Sequence, residues 1–365
     1  MAAAEYILFV LSACVVAGGC AAGALTAAGT VSILRWQNRW RLMRRAYGYG
    51  SDPLCEIGIT LVASDYTDLE QVERRLDTEY ARWEVVLVAD SSRHADFDRL
   101  LARYDMIGVD YDGCGELPCS GVAKLYRSRK RRYRRLVVVE RGRTRLCDDF
   151  NCGANVATYE HIVALDRYTE LTAEAAEKWV VRMQEFGHGE VGVMCGMGIG
   201  PRSGIRGALA VAASAGWGAA DGVGVGRDAV PLFDRNALIA LGGYRDAPAP
   251  GYETARRFVR LRKRLELGRA VMIPDLFARR ASPAEGSPAR RSGGEDRAAW
   301  TVWTLTGLAA ALLLWGGASG QVRVTAGAVA VLVAVWVSVA ALLSVSQAAA
   351  ACIFRPRKEP GNRNR

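Results

Sequence analysis

Histidine is nearly missing from this chain, with three copies in 365 residues, at positions 94, 161 and 188. So widely spread, and with no Ser or Cys in a nucleophile elbow, they argue against an acyl-transfer triad. No G-x-G-x-x-G follows the first strand pattern and no Walker loop occurs, which removes the main support for dinucleotide and P-loop readings. The glycine-rich "GVGVG" at 222–226 carries no Lys-Ser and follows no strand pattern, so it reads as a flexible loop. Charge is also missing, from residues 7–34, "ILFVLSACVVAGGCAAGALTAAGTVSIL". At about 1.5 Å per helical residue this run exceeds the ~30 Å hydrocarbon core of a bilayer. The start "MAAAEY" has no base and the run is too long for a cleaved signal peptide, so a retained span is expected.

Two more apolar runs close the sequence, "AWTVWTLTGLAAALLLWGGASG" (299–320) and "VTAGAVAVLVAVWVSVAALLSVSQAAAACIF" (324–354). Their basic flanks, "RWQNRWRLMRR" after the first run, "ARRSGGEDR" before the second and "FRPRKEPGNRNR" after the third, all belong on the cytosolic side. The expected topology is a multi-pass inner (plasma) membrane protein, N-terminus out, with the central domain and the C-terminus in the cytosol. Six segments follow: an anchor (1–36), a basic juxtamembrane linker (37–54), a central domain (55–280), a polar linker (281–298), a two-helix membrane hairpin (299–354) and a basic tail (355–365).

The net charge of +10 is explained by arginines that meet anionic headgroups, so no nucleic acid is required. One basic run, "RSRKRRYRR" (127–135), lies inside the central domain. It reads as a solvated or membrane-facing loop, with a lipid headgroup or a phosphate as the alternative ligand, and it matches no nucleic-acid motif. Nine cysteines in a cytosolic domain with spans do not form a disulfide framework. Cys114/Cys119 and Cys147/Cys152 make two C-x4-C pairs, looser than zinc spacing, and read as core thiols.

The central domain alternates strand and helix patterns, the signature of a mainly parallel sheet covered by helices. "EIGITLVAS" (56–64), "WEVVLVAD" (83–90), "RLVVVE" (135–140) and "HIVALD" (161–166) read as strands, with helices at 67–80 and 95–104. Ligands collect beyond the carboxyl ends of such strands, where Ser64 and Asp65, Asp90 and Ser91, and Asp166 wait.

Over about residues 55–300 the order of segments resembles the family 2 glycosyltransferases of the GT-A fold. The likeness is to their membrane-anchored bacterial branch, related to cellulose, hyaluronan and poly-N-acetylglucosamine synthases. "EVVLVADSS" looks like that family's "EVIVVDDGS", and "LYRSRKRRYRRLVVVERGRTRLCDDFNCGANVATYEHIVALD" is similar to its segment from "YRSR" through Asn-x-Gly to the strand-end acid. "LFDRNALIALGGYRD" resembles the acceptor-side "FRRRALLEVGGYRT", and "VMIPDLFA" resembles "VFVPDPVC". The resemblance implies an α/β, GT-A (Rossmann-like) domain in the cytosol with three transmembrane helices. It also implies a nucleotide-diphosphate sugar near Ser64, Asp65, Asp90, Ser91 and Arg145, a Mg²⁺ or Mn²⁺ at Asp166, and an acceptor side at Gly242, Gly243 and Tyr244. The acceptor would be a saccharide or lipid-linked sugar in envelope or exopolysaccharide synthesis, with a polysaccharide synthase as a candidate partner.

Departures from the family pattern bear on the chemistry. Tyr168 stands where the second acid of Asp-x-Asp is expected, and Leu146 where the family has Lys, which leaves Arg145 as the neighbouring cation. In one register the base position falls on Glu253, in the other on Thr254. The Gln-x-x-Arg-Trp segment of processive synthases lacks its Gln here, so non-processive transfer is expected. "DYD" (110–112) reads as a decoy loop, Asp148 and Asp149 as helix-start acids, and Glu170 as a candidate stand-in for the missing acid. Two functions remain: a membrane-bound hexosyltransferase, and a catalytically inactive pseudo-glycosyltransferase that serves as a scaffold for a synthase.

Overall fold

A computed structural model describes residues 2–47, 57–199 with short breaks, Ala215, and 229–280. The runs at 299–320 and 324–354, the loop at 222–226, and Asp65, Asp112 and Cys114 lie outside the described residues. The chain divides into two compact units, one of Met1–Arg35, Arg202–Ala220 and Arg291–Arg365, the other of Trp36–Pro201 and Asp221–Arg290.

In chain order the elements are α1 (Ala2–Tyr47), β1 (Ile59–Ala63), α2 (Leu69–Leu76), β2 (Trp83–Asp90), α3 (His94–Tyr104), β3 (Met106–Val109) and β4 (Lys124–Ser128). They continue with β5 (Leu136–Arg141), α4 (Leu146–Val156), β6 (His161–Leu165), β7 (Thr169–Leu171) and α5 (Ala175–Phe186). The series closes with β8 (Val191–Ile199), β9 (Ala229–Asp234), α6 (Arg235–Ala240), α7 (Pro250–Leu261) and β10 (Arg269–Arg280).

Helix α1 begins in the first unit and ends in the second, and its Ala17–Arg45 stretch is the one among the described residues long and apolar enough to cross a membrane. Three spans were expected, and one candidate is described. Within it the Thr30 hydroxyl donates to the Thr26 carbonyl at 2.9 Å, which satisfies a polar group without interrupting the helix.

The second unit is a ten-stranded mixed sheet in the order β3-β4-β5-β2-β1-β6-β9-β8-β10-β7. Strands β5, β2, β1 and β6 run parallel at its centre. Antiparallel β9 and the β3–β4 hairpin flank them. Period-two alternation divides the side chains between two faces. Ile59, Leu61, Val85, Leu87, Leu136 and Val138 pack on one face with Val72, Leu100 and Trp179 from α2, α3 and α5. Val62, Val86, Val88, Val137 and Val139 pack on the other with Phe150, Leu238 and Phe258 from α4, α6 and α7. The result is a three-layer α/β/α unit, consistent with the expected Rossmann-like class.

The segment expected as a juxtamembrane linker (37–54) is helical as far as Tyr47, because α1 continues through it. Its physical cause is α5. The fully buried Arg182 donates to the Trp36 carbonyl at 3.0 Å and stacks 4.2 Å from the Trp36 ring. Arg39 meets Glu185 at 2.8 Å and Arg44 meets Glu174 at 3.2 Å.

Candidate functional site

The register brings the strand-end residues together. Ala63 lies opposite Leu165, so Ser64 and Asp166 leave the sheet side by side. β2 runs farther, and Asp90 pairs with Arg141 at the end of β5. Ser64, Asp90, Ser91 and Asp166 therefore gather at the carboxyl edge of three adjacent parallel strands, where α/β sheets take ligands.

Both acids also close the turns they start. Asp90 Oδ1 accepts from the Ser92 amide at 3.0 Å and its hydroxyl at 2.6 Å. Asp166 Oδ1 accepts from the Tyr168 amide at 3.1 Å and from the Thr169 hydroxyl at 2.6 Å. The turn after β6 is held from outside by α2, where Gln71 donates to the Arg167 carbonyl and Arg75 to the Asp166 carbonyl. Tyr168 bonds to the Arg167 guanidinium, which also lies 4.6 Å from its ring. Glu170 sits on Arg74 at 3.0 Å, a contact that competes with any swing toward Asp166.

Mg²⁺ and Mn²⁺ are held by carboxylates together with substrate phosphates. At the β6 exit the one carboxylate, Asp166, has an oxygen engaged twice, its neighbours Tyr168 and Glu170 are taken by arginines, and no trio of His, Cys, Asp or Glu gathers among the described residues. As a set, the described residues do not fit a resident divalent cation.

Sequence reasoning missed Arg141, because a base at a strand end looks solvated. Its side chain is 1% exposed, donates to the Asp148 carbonyl at 2.7 Å and pairs with Asp149 at 3.4 Å. Its own carbonyl receives the Ser91 amide at 2.8 Å and the Ser91 hydroxyl at 3.2 Å. Arg141 thus fixes the start of α4 against the β2 exit. Asp148 and Asp149 do lie in the first turn of α4, as expected. Arg145 stands at the N-cap position of that helix without a side-chain capping bond and reaches Asp246 at 2.9 Å, with both side chains largely exposed.

Farther along α4, Asn151 is 1% exposed and clamps a distant segment. Its Oδ1 accepts from the Tyr244 amide at 2.7 Å, while Nδ2 donates to the carbonyls of Tyr244 at 3.0 Å and Pro118 at 2.9 Å. One turn on, Asn155 brackets Leu117 in the same way, with two bonds of 3.0 Å. Gly153 lets α4 lie close on the sheet, since a Cβ there would meet Val62 at 2.3 Å. The two glycines expected on an acceptor side shape the turn that Asn151 holds: Gly242 and Gly243 have φ of 72° and 76°. Tyr244 is buried between Phe150 and Phe233, and burial raises its phenol far above the ordinary value.

Helix α7 docks on the same turn. Arg257 donates to the Leu241 and Gly243 carbonyls, each at 2.6 Å, and burial lowers its guanidinium with Arg245 adding to the effect. Glu253 lies one turn before Arg257 and is exposed, whereas Thr254 is 1% exposed on the packed side. Of the two register candidates, only Glu253 has access to a ligand.

Under α5 lies a buried charge cluster. Asp275 of β10 is fully buried, with Lys178 Nζ 3.7 Å from Oδ2 and 2.8 Å from its carbonyl. Cys147 and Cys152 are buried free thiols, and burial pushes Cys152 up to about 12, as expected for core residues.

No known protein family and no curated protein matches the chain. Among solved structures, S. aureus TarS 1–349 is similar with a TM-score of 0.37 at 10% identity, covering 62% of this chain and 61% of that one. The chain spans about three fifths of the solved chain it matches.

Proposed function

We propose that the protein is a membrane-tethered, non-processive glycosyltransferase of the family 2 type. It would move a sugar from a nucleotide-diphosphate donor to a saccharide or lipid-linked acceptor in envelope or exopolysaccharide synthesis. The observation that carries this reading is the Asn151–Tyr244–Arg257 clamp. It joins α4, which begins where β5 ends, to the Gly242–Gly243 turn and to α7, which presents Glu253. Three strand ends bring Ser64, Asp90, Ser91 and Asp166 to one edge, and the helix that the clamp fixes carries a solvent-facing carboxylate.

In this reading Asp90 and Ser91 hold the nucleotide, with Ser64 on the neighbouring strand end. Arg145, at the positive end of the α4 dipole, faces phosphate charge. Glu253 takes the proton of the acceptor hydroxyl, since general bases at neutral pH are ionised carboxylates or imidazoles and Thr254 is neither. Asp166 supplies negative charge at the β6 exit. No step is routed through a divalent cation.

The engaged Asp166 oxygen favours a second reading, a scaffold without turnover that partners a synthase. Asp166→Asn separates the two, because an amide oxygen still closes the turn while the charge is lost. Calorimetric titration of the detergent-solubilised chain with UDP and GDP, with and without Mn²⁺, should show binding that Asp166→Asn weakens at least about tenfold at unchanged thermal stability. Binding equal in both chains would leave Asp166 a turn former, and absence of binding in either would favour the scaffold.

A further inference from the structure

Six bases fall within eight residues at Arg127, Arg129, Lys130, Arg131, Arg132 and Arg134, and all six are exposed. None of them pairs with a carboxylate among the described residues. Two acids flank the adjoining edge strand, Asp105 and Asp110, so the patch stays strongly positive.

The hairpin that carries these bases is fixed in shape. Tyr133 is buried, its hydroxyl meets Glu73 at 3.3 Å, and its ring stacks edge-on to Tyr104 at 4.9 Å. Ser128 donates to the Tyr104 carbonyl at 2.6 Å and accepts from the Lys130 amide at 3.1 Å. Beside it runs β3, the outermost strand on this side of the sheet, with Ile107 38% and Val109 36% exposed. The register sets Ile107 opposite Arg127, so aliphatic and basic side chains share a face.

We propose that the β3 edge and its basic hairpin form a docking surface for an anionic bilayer, separate from the apolar stretch of α1. Lipid headgroups of negative charge attract clustered Lys and Arg close to the surface, and exposed aliphatics add contact with the headgroup boundary. The hairpin lies far from the end of α1: α5, which holds that end, packs on β8 and β10, and β4 stands six strands from β8. At about 4.8 Å per strand the two points are roughly 30 Å apart along the sheet. Two such contacts would restrain the domain's tilt where one tether leaves it free.

Other occupants fit less well. Nucleic acid would want exposed aromatic platforms, and here Tyr133 is buried while the Tyr126 hydroxyl is held by Glu140 at 2.7 Å. A second copy pairing edge to edge would set two such patches against each other.

The test is hydrogen exchange on the full chain in nanodiscs of phosphatidylcholine alone or mixed with phosphatidylglycerol. Amides of 107–109 and 130–134 should exchange severalfold more slowly in the anionic discs. The slowing should vanish in about 1 M salt, where the Debye length falls to about 3 Å, and in an Arg129→Gln, Arg131→Gln, Arg132→Gln variant. Equal exchange in both discs overturns the proposal. So does equivalent slowing in zwitterionic discs by inorganic phosphate, which would mean a soluble phosphoryl ligand, or by a short DNA duplex, which would mean a nucleic acid. The salt arm uses the unaltered chain and stands even if the triple variant misfolds.

Discussion

Asn151→Ala is the substitution that tests the clamp. The side chain makes three hydrogen bonds from a buried position, two to the backbone of Tyr244 and one to Pro118. A net value of about 1 kcal/mol per bond gives a loss of about 3 kcal/mol, because the backbone partners stay buried without replacement. At about 2–4 °C per kcal/mol for a domain of this size, the midpoint should fall by roughly 6–12 °C. Asn151→Asp keeps the acceptor for the Tyr244 amide but turns an anionic oxygen on two carbonyls, so it should lose at least as much. Asn155→Ala removes the two bonds to Leu117 from a half-buried site and should cost about 1–2 kcal/mol. The assay is thermal unfolding of the full chain in detergent, followed by near-ultraviolet circular dichroism. An Asn151→Ala midpoint within about 2 °C of the parent, or a larger loss from Asn155→Ala, would refute the clamp.

Gly242→Ala and Gly243→Ala share the left-handed backbone, worth about 1–2 kcal/mol. A Cβ on Gly243 would also sit 2.5 Å from Asn151 Oδ1, so its midpoint should fall clearly further than that of Gly242, which has open space. Glu253→Gln should keep stability within about 0.5 kcal/mol and abolish donor consumption, whereas Thr254→Ser should leave consumption intact; a coupled assay of nucleotide release reads both. Burial pushes the Asp275 carboxyl above the ordinary carboxylate range, against the pull of Lys178 and Arg182. The folded chain therefore holds that proton more tightly than the unfolded one. The associated stability is complete below the unfolded value of about 3.9 and is lost as pH rises through the raised folded value. In Asp275→Asn that decline should disappear from a plot of midpoint against pH, and an unchanged slope would count against it.

The four central strands were legible because each is a short apolar run bounded by turn residues, as parallel strands buried on both faces require. Their limits fall within three residues of the expected ones, for example Ile59–Ala63 against 56–64. Edge strands carried no such signal. β3 is four residues with three exposed, and β10 includes a proline and a buried Asp275. At the site, Asp90 and Asp166 stood out as acids that end strands. Asn151 was visible only as part of a spacing, since its partner Tyr244 is 93 residues away. The burial of Lys178 and Arg182 on α5 is set by Asp275 and Trp36, neither of which is local in sequence.

The two strand-end acids bear on whether the carboxyl edge still does chemistry. Each uses one oxygen to close a turn through the residues that follow, and an asparagine closes such turns as well. A carboxylate in that place brings charge that the turn itself does not need, and withdrawing charge from water at a half-buried position costs free energy. Asp166→Asn therefore keeps the turn and removes only the charge, which is why that substitution separates a turn former from a group that meets a ligand.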